Sequence, residues 1–338
     1  MKRPLRIAVN GLGRVGRIFI RIAWGNSKFQ IIAANSRSDL PLYGHLLKYD
    51  SVYGPWADHE VKVRGNNLII DGKLIRYFKE TDADNLPWKK IKPDMVVEAS
   101  GKYKNIDDAA KHNAAGARYT VITAPIDGPG KILVMGVNEK TFDPAEDRVV
   151  SAASCTSVCS SLVVKVLEEN FGIVRGFINT VHAFTSDQSL HDSSHRDFRR
   201  ARAAAESIIP TTTGVTKTID RLFPSIKGRI SGIAYRVPVI DPSVLSLTCE
   251  LKKSVDAKKV NNAFVRASKN VLKGRLGVSH EPLVSTDHRQ MTLGTIVDLL
   301  STEVVNGKML NVVAWYDNEW GYVSQVADLL EYLGTRIK

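Results

Sequence analysis

Three sets of residues in this chain have the types and spacing to do chemistry. The first is Gly11-Leu12-Gly13-Arg14-Val15-Gly16, a G-x-G-x-x-G run between a short apolar stretch and a helix-length one. Its glycines permit a tight turn and let backbone N–H groups approach a pyrophosphate, and the helix start adds favourable partial charge. A plain glycine-rich turn is the alternative. The end of the next strand should carry an acid for the ribose 2′-hydroxyl. That stretch reads Ala34-Asn35-Ser36-Arg37-Ser38-Asp39. Ser36 stands where the acid is expected and Arg37 follows it, a combination that suits a 2′-phosphate and hence NADP. The competing readings are that Asp39 is the acid, or that Arg37 is a solvated loop charge.

The second set is Cys155 and His182. Ser154 is a good N-cap, so Cys155 falls at the first position of a helix, where backbone N–H groups favour a thiolate and depress the thiol pKa. Cys159, one turn further in, reads as a buried structural thiol. His182 closes a strand. A cysteine at a helix start and a histidine at a strand end can meet as nucleophile and base; a core thiol and a structural imidazole are the bland alternative. The third set could bind anions: Thr185, the run Thr211-Thr212-Thr213-Gly214 opening a helix after Pro210, the cluster Arg199, Arg200 and Arg202, and Arg236. Arg236 lies in an apolar strand among Ile233, Ala234 and Val237, where an unpaired charge is costly. Its partner is either a bound phosphate or a carboxylate. The arginine cluster alone reads as a solvated face. No cluster of His, Cys, Asp and Glu has metal-site spacing.

The elements that must carry these residues are legible in outline. In the first half, strands at Leu5 to Val9, Phe29 to Ala34, Met95 to Val97 and Tyr119 to Thr123 alternate with helical patterns. Strand, helix and strand within roughly 30 residues make a βαβ unit, hence a Rossmann-like, doubly wound parallel sheet. After about Val150 a helix from Cys155 to Asn170, stopped by Gly172, precedes longer strands: Gly176 to Ala183, Gly232 to Val239, Val244 to Leu251 and Leu310 to Tyr316. These predict an α+β catalytic domain whose sheet is mostly antiparallel, with helices on one side. Val323, Val326, Leu330 and Leu333 mark an amphipathic helix. The expected organisation is α/β, with residues 1–154 and 319–338 binding the dinucleotide and residues 155–318 carrying the catalysis.

Composition bounds the rest. With 338 residues, 43% of them hydrophobic and 24% charged, the chain has ordinary globular composition and two domains as the prior. Its net charge of +12 favours an anionic ligand or a basic surface; nonspecific RNA binding is the competing use of that charge, but a nucleic-acid partner is not expected. Three cysteines exclude a disulfide scaffold and fit a reducing, cytoplasmic compartment. Neither a membrane span nor a signal peptide is expected.

Taken in order, these residues resemble the phosphorylating glyceraldehyde-3-phosphate dehydrogenase family. The resemblance runs through N-G-L-G-R-V-G-R at Asn10 to Arg17, L-L-K-Y-D-S at Leu46 to Ser51, A-S-C-T at Ala153 to Thr156 and H-A-F-T-S-D-Q at His182 to Gln188. It continues in R-R-A-R-A-A at Arg199 to Ala204, I-I-P-T-T-T-G at Ile208 to Gly214, R-V-P-V at Arg236 to Val239 and W-Y-D-N-E-W-G-Y at Trp315 to Tyr322. No single motif is decisive; the ordered set is specific and spans essentially the whole chain.

The resemblance implies reversible oxidative phosphorylation of D-glyceraldehyde 3-phosphate to 1,3-bisphosphoglycerate, in glycolysis and gluconeogenesis, by a homotetramer. Cys155 would form the thiohemiacetal and then the thioester, with His182 as its base. Thr185 and Arg236 would hold the substrate's own phosphate. Ser154, Thr156, Arg200, Thr213 and Gly214 would hold the attacking inorganic phosphate. Asn10, Gly11, Gly13, Arg14, Val15, Gly16, Ser36, Arg37, Ser100, Thr123 and Asn318 would form the cofactor set, with Asn318 orienting the nicotinamide amide. The chain also departs from the family pattern: Ala152 and Val158 replace asparagines beside the nucleophile, Phe184 a tyrosine, Thr81 an arginine near the adenine, and Ser36 the ribose-binding aspartate. Ser193-Ser194 stand where NAD-specific members carry Leu-Pro, so two distant positions lean toward NADP, with NAD still usable. Alternatives are an erythrose-4-phosphate dehydrogenase, against which Thr185 argues, and a weakly active paralogue with a binding role.

Overall fold

The structure is a computed structural model and describes residues 3–337. The chain divides into two compact units. One holds the chain up to Leu133, Glu139–Ala153 and the stretch from Val326 on; the other holds Val134–Asn138 and Ser154–Gln325.

The first unit is built on nine strands: β1 (Leu5–Asn10), β2 (Phe29–Asn35), β3 (Val61–Arg64), β4 (Asn67–Ile70), β5 (Lys73–Phe78), β6 (Met95–Glu98), β7 (Tyr119–Ile122), β8 (Lys131–Ile132) and β9 (Val149–Ser151). Their order is β3-β4-β5-β2-β1-β6-β7-β9-β8. From β5 to β8 all neighbours are parallel. Ala8, Val9, Val96, Val97 and Val121 are fully buried, as strands with both faces covered must be. β1 is flanked by β2 on one side and β6 on the other, so the chain order reverses at β1. The crevice beyond the ends of these three strands is where a doubly wound sheet binds its ligand. The antiparallel meander β3-β4-β5 is not foreseen from sequence. β3 is largely exposed, so it carries little apolar signal, and Gly65 and Gly72 turn the chain at positive φ.

The second unit is a seven-stranded sheet of β10 (Ile173–Ala183), β11 (Ile209–Thr211), β12 (Ile230–Val237), β13 (Ser243–Leu251), β14 (Leu276–Ser279), β15 (Thr295–Val305) and β16 (Met309–Tyr316). The order is β11-β12-β10-β13-β16-β15-β14. The β10–β12 and β14–β15 pairs are parallel and the remaining neighbours antiparallel. Period-two alternation decides what β10 presents to each side. Ile178, Thr180 and His182 are buried, whereas Phe177 and Val181 are exposed. The parallel register sets His182 beside Arg236 of β12. Thr211 ends a strand, and the helix expected at the threonine run begins only at Val215, after the Gly214 cap.

Behind the end of β10, the Ser243 hydroxyl donates to Asn318 Oδ1 at 2.7 Å and accepts from the Ala183 N–H at 3.0 Å. Asp241 and Asp317 are buried next to these two residues in sequence. Burial, together with the Asp317 and Glu319 charges, pushes the Asp241 carboxyl up to about 9. A carboxyl whose pKa is raised on folding binds a proton that the unfolded chain has already released. Stability is therefore lost as pH rises from the ordinary carboxylate range toward 9. Asp241→Asn removes that linkage, so the variant should gain on the wild type between pH 5 and pH 8, by up to about 1.4 kcal/mol per pH unit. Urea unfolding at the two pH values measures this; a wild-type–variant difference independent of pH would refute it.

Candidate active site

The nucleophile's position follows from a cap. Ser154 has extended backbone and its Oγ accepts from the Ser157 N–H at 3.2 Å, so the helix Cys155–Phe171 starts at Cys155. Val158, Cys159, Leu162, Val163 and Val166 seat that helix in the core. Half-buried Cys155 then faces β10, where its Sγ lies 3.5 Å from His182 Nε2. The other ring nitrogen, Nδ1, donates to the Ala183 carbonyl at 2.7 Å. A carbonyl can only accept, so Nε2 is the lone-pair nitrogen and is aimed at the thiol.

Burial opposes charge on both members of the pair. It pushes the Cys155 thiol up, against the pull of Thr156 and the Arg236 charge. It drives His182 down to about 3, with Arg236 helping. The resting pair is thus neutral, and the depressed thiol pKa expected from the helix start is overridden by desolvation. Moving one proton from Sγ to Nε2 creates both charges together, so the two groups ionise as a unit. Cys159 is not part of this: it is fully buried, its Sγ lies 3.1 Å from Thr295 Oγ1, and burial pushes it up to about 12.

Around the pair lies a cavity of about 170 Å³, lined by Ser154, Cys155, Thr156, His182, Arg200, Thr213, Gly214 and Arg236 among others. Arg236 Nη1 donates to Thr185 Oγ1 at 3.1 Å and to the Ala183 carbonyl at 3.2 Å, which sets Thr185 beside the guanidinium. Its buried Nε has no hydrogen-bond partner, and no carboxylate is ion-paired with it among the described residues. Arg200 is oriented differently. It pairs with Asp187, its Nε donates to Thr211 Oγ1 at 2.9 Å, and Asp197 lies 3.5 Å away. Of its neighbours, Arg202 pairs with Asp192 at 2.9 Å and Arg199 reaches the Pro210 carbonyl at 3.4 Å. The cavity thus has two cationic side chains and the thiol in its lining.

Two participants were not singled out from sequence. Thr180 lines the cavity, and the alternation that turns His182 inward could have found it. Tyr316 is buried at the end of β16, its hydroxyl 2.7 Å from Thr180 Oγ1 and 3.0 Å from Thr156 Oγ1, its ring edge-on to His182. The Thr156 hydroxyl is thereby turned toward Tyr316.

The glycine turn builds the other cleft, within the first unit. Gly11 has φ +98°, and a Cβ there would lie 2.5 Å from the Ser100 nitrogen. A Cβ at Gly16 would collide with the Gly11 carbonyl, whereas one at Gly13 would meet nothing within 4 Å. Gly13 caps the helix Arg14–Ala23 without a side-chain hydrogen bond, and no acid occupies its first turn. A helix start with no side-chain cap and no acid, and with open space at Gly13, fits a pyrophosphate. The cleft, of about 440 Å³, is lined by Asn10, Gly11, Gly13, Asn35, Ser36, Arg37, Tyr43, Thr81, Ser100 and others. Arg14 is paired with Asp50 and lies over the Tyr53 ring, and Thr123 Oγ1 donates to the Glu98 carbonyl at 3.0 Å. Neither these two nor Val15 and Gly16 are lining residues, and Asn318 belongs to the second unit. The Ser36 hydroxyl lies 2.6 Å from the Tyr43 hydroxyl. Asp39 is turned away, paired with Lys79 at 2.7 Å.

A dinucleotide cleft in one unit and a thiol–imidazole pair with two arginines in the other define a class: a nucleotide-dependent enzyme working through cysteine. Comparison with known proteins is specific. Residues 5–106 match the glyceraldehyde 3-phosphate dehydrogenase NAD-binding domain and residues 154–318 match the C-terminal domain of the same family. The chain is 47% identical to glyceraldehyde-3-phosphate dehydrogenase of Geobacillus stearothermophilus over 332 residues, 98% of this chain and 99% of that protein. It is 44% identical to glyceraldehyde-3-phosphate dehydrogenase 1 of Bacillus subtilis, with the same coverage. With chloroplastic glyceraldehyde-3-phosphate dehydrogenase A of Zea mays it shares 42% identity over 99% of this chain and 83% of that protein. The chain belongs to the glyceraldehyde-3-phosphate dehydrogenase family. Among the described residues no helix is long and apolar enough to cross a membrane, and no cluster of His, Cys, Asp and Glu could hold a metal.

His182→Asn leaves the buried thiol without its proton acceptor. Iodoacetate labelling of Cys155 should then follow the raised thiol alone. At neutral pH it should slow by about tenfold or more, and its pH midpoint should move upward by at least one unit. An unchanged labelling profile would mean that the imidazole does not take the proton.

Proposed function

We propose that this chain oxidises D-glyceraldehyde 3-phosphate and traps the product with inorganic phosphate, giving 1,3-bisphosphoglycerate. The observation that carries the reading is the buried Arg236 Nε without a partner, beside Thr185 and next to the Cys155–His182 pair. A guanidinium left open in this way suits a phosphate dianion. Cys155 loses its proton to His182 Nε2 as Sγ bonds to the aldehyde carbon, and the proton passes to the former carbonyl oxygen. Bound NAD or NADP supplies the acceptor for the hydride that leaves this carbon. His182 takes the hydroxyl proton as the C=O forms, which yields the thioester. Phosphate held by Arg200, Thr213 and Gly214 attacks the acyl carbon. The thiolate leaves and recovers its proton from His182, so atoms and charge balance. A thioester keeps the oxidation energy for the acyl phosphate, and cysteine is the side chain that makes one. Ser154 and Thr156 complete the assignment at the inorganic phosphate.

The cofactor reading is NADP favoured modestly over NAD. Support comes from Ser36 and Arg37, both in the cleft wall. Arg37 is exposed and, among the described residues, has no ion-pair partner. Ser193 and Ser194 lie exposed in the loop between β10 and β11, where a second subunit's cofactor could meet them. The assembly in this reading is a homotetramer, supported by the exposed Phe177 and Val181 on the outer face of β10. The compartment is the cytoplasm, supported by three unpaired cysteines.

Two measurements test this. Arg236→Ala should raise the KM for the phosphorylated aldehyde, and Arg200→Ala the KM for inorganic phosphate, each about ten- to a hundredfold, the value of a charge-assisted contact. Equal effects on both substrates would refute the division into two anion sites. Ser36→Asp puts a carboxylate where the 2′-phosphate would lie. It should move the NADP/NAD ratio of kcat/KM toward NAD by about tenfold or more. A wild type that strongly prefers NAD would overturn the serine reading.

A further inference from the structure

Beneath the polar wall of the cofactor cleft lies a buried acid that the chemistry above does not use. Glu98, at the end of β6, and His112 are both buried. The Glu98 carboxylate accepts from Asn10 Nδ2 at 2.5 Å, His112 Nε2 at 2.9 Å, the Ser100 N–H at 2.8 Å and the Ser100 hydroxyl. His112 Nδ1 in turn lies 3.1 Å from the indole nitrogen of buried Trp88. An indole N–H only donates, so His112 carries its proton on Nε2 and presents it to Glu98. A buried carboxylate is tolerated when its lone pairs are filled in this manner. Asn10 is held from its other side as well, its Oδ1 accepting from Asn35 at 2.7 Å.

This arrangement dictates what Ser100 can do. Its hydroxyl proton is committed to Glu98, and one lone pair accepts the Lys102 N–H at 3.1 Å. Ser100 is exposed and lines the cleft, so what it has left to offer is a lone pair. A lone pair can take a hydroxyl hydrogen from a sugar and has no proton for a phosphate oxygen.

We propose that Glu98, oriented by His112, is a positioning residue of the cofactor cleft, fixing Ser100 as the acceptor for a nucleotide ribose hydroxyl. The inference rests on the reading of this cleft as the dinucleotide site. In Glu98→Gln the shape is kept, but an amide NH₂ must face one of the donors, and Ser100 is released.

The test is calorimetric titration of the whole protein with NAD, for the wild type, Ser100→Ala, Glu98→Gln and the double variant. Each single change should raise the Kd for NAD about tenfold, and the double should raise it no further than the larger single, because both act on one contact. The KM for NAD should rise with the Kd, and kcat should fall by less. Iodoacetate labelling of Cys155 without NAD should stay at the wild-type rate. The proposal is overturned if Ser100→Ala weakens NAD while Glu98→Gln does not, or if the two effects multiply. It is overturned equally if Glu98→Gln lowers only the melting temperature. An unchanged Kd in Ser100→Ala overturns the proposal and leaves the dinucleotide reading of the cleft in place, whereas a wild type that binds no NAD would remove that reading. Should Glu98→Gln not fold, His112→Gln takes its place in the same cycle, with the same outcomes.

Discussion

The second unit's site turns on one interaction, the 3.5 Å approach of Cys155 Sγ to His182 Nε2 where burial opposes charge on both groups. A proton passed from the thiol to the imidazole charges both together. Several features of the second unit can be read as consequences. The Ser154 cap fixes where the thiol begins its helix. The Ala183 carbonyl fixes the tautomer that leaves Nε2 open. Ser243 holds that same turn through the Ala183 N–H. Displacing any of them would cost the pair its alignment before it cost the fold its core.

The two arginines show how similar side chains are prepared for different duties. Arg200 is held by Asp187, Asp197 and Thr211, so its direction is set in advance and much of its charge is already balanced. Arg236 is held through Nη1 alone, by a carbonyl and a hydroxyl, and its Nε stays open. In the proposed reaction the less balanced guanidinium would be the stronger anion site, because little carboxylate charge has to be displaced. It also lies beside His182 in the sheet register, which ties anion binding to the base through two adjacent strands.

What was legible in the sequence had a local cause. The glycine turn, the strands on either side of it and the Ser154 cap depend on backbone sterics and on one hydrogen bond each, and residue type reports these directly. The meander of β3 to β5 was not legible, since its strands are short and β3 is exposed. The partner of Arg236 stayed open between phosphate and carboxylate, because it depends on a register between strands some fifty residues apart. The thiol's sign is not legible either: a helix start favours the thiolate, but desolvation, which no local pattern reports, outweighs it. Glu98 and His112 escaped notice because a buried, fully bonded acid resembles any polar residue near a strand end.

The most direct test of the central claim is a rapid-mixing experiment without inorganic phosphate, using D-glyceraldehyde 3-phosphate and saturating cofactor. If Cys155 and His182 act as described, reduced cofactor should appear as a burst of one equivalent per chain and then nearly stop. Mass spectrometry of the quenched protein should find the acyl group on Cys155. Sustained turnover at the burst rate without phosphate, or an acyl group on Cys159 or Cys249, would contradict the account.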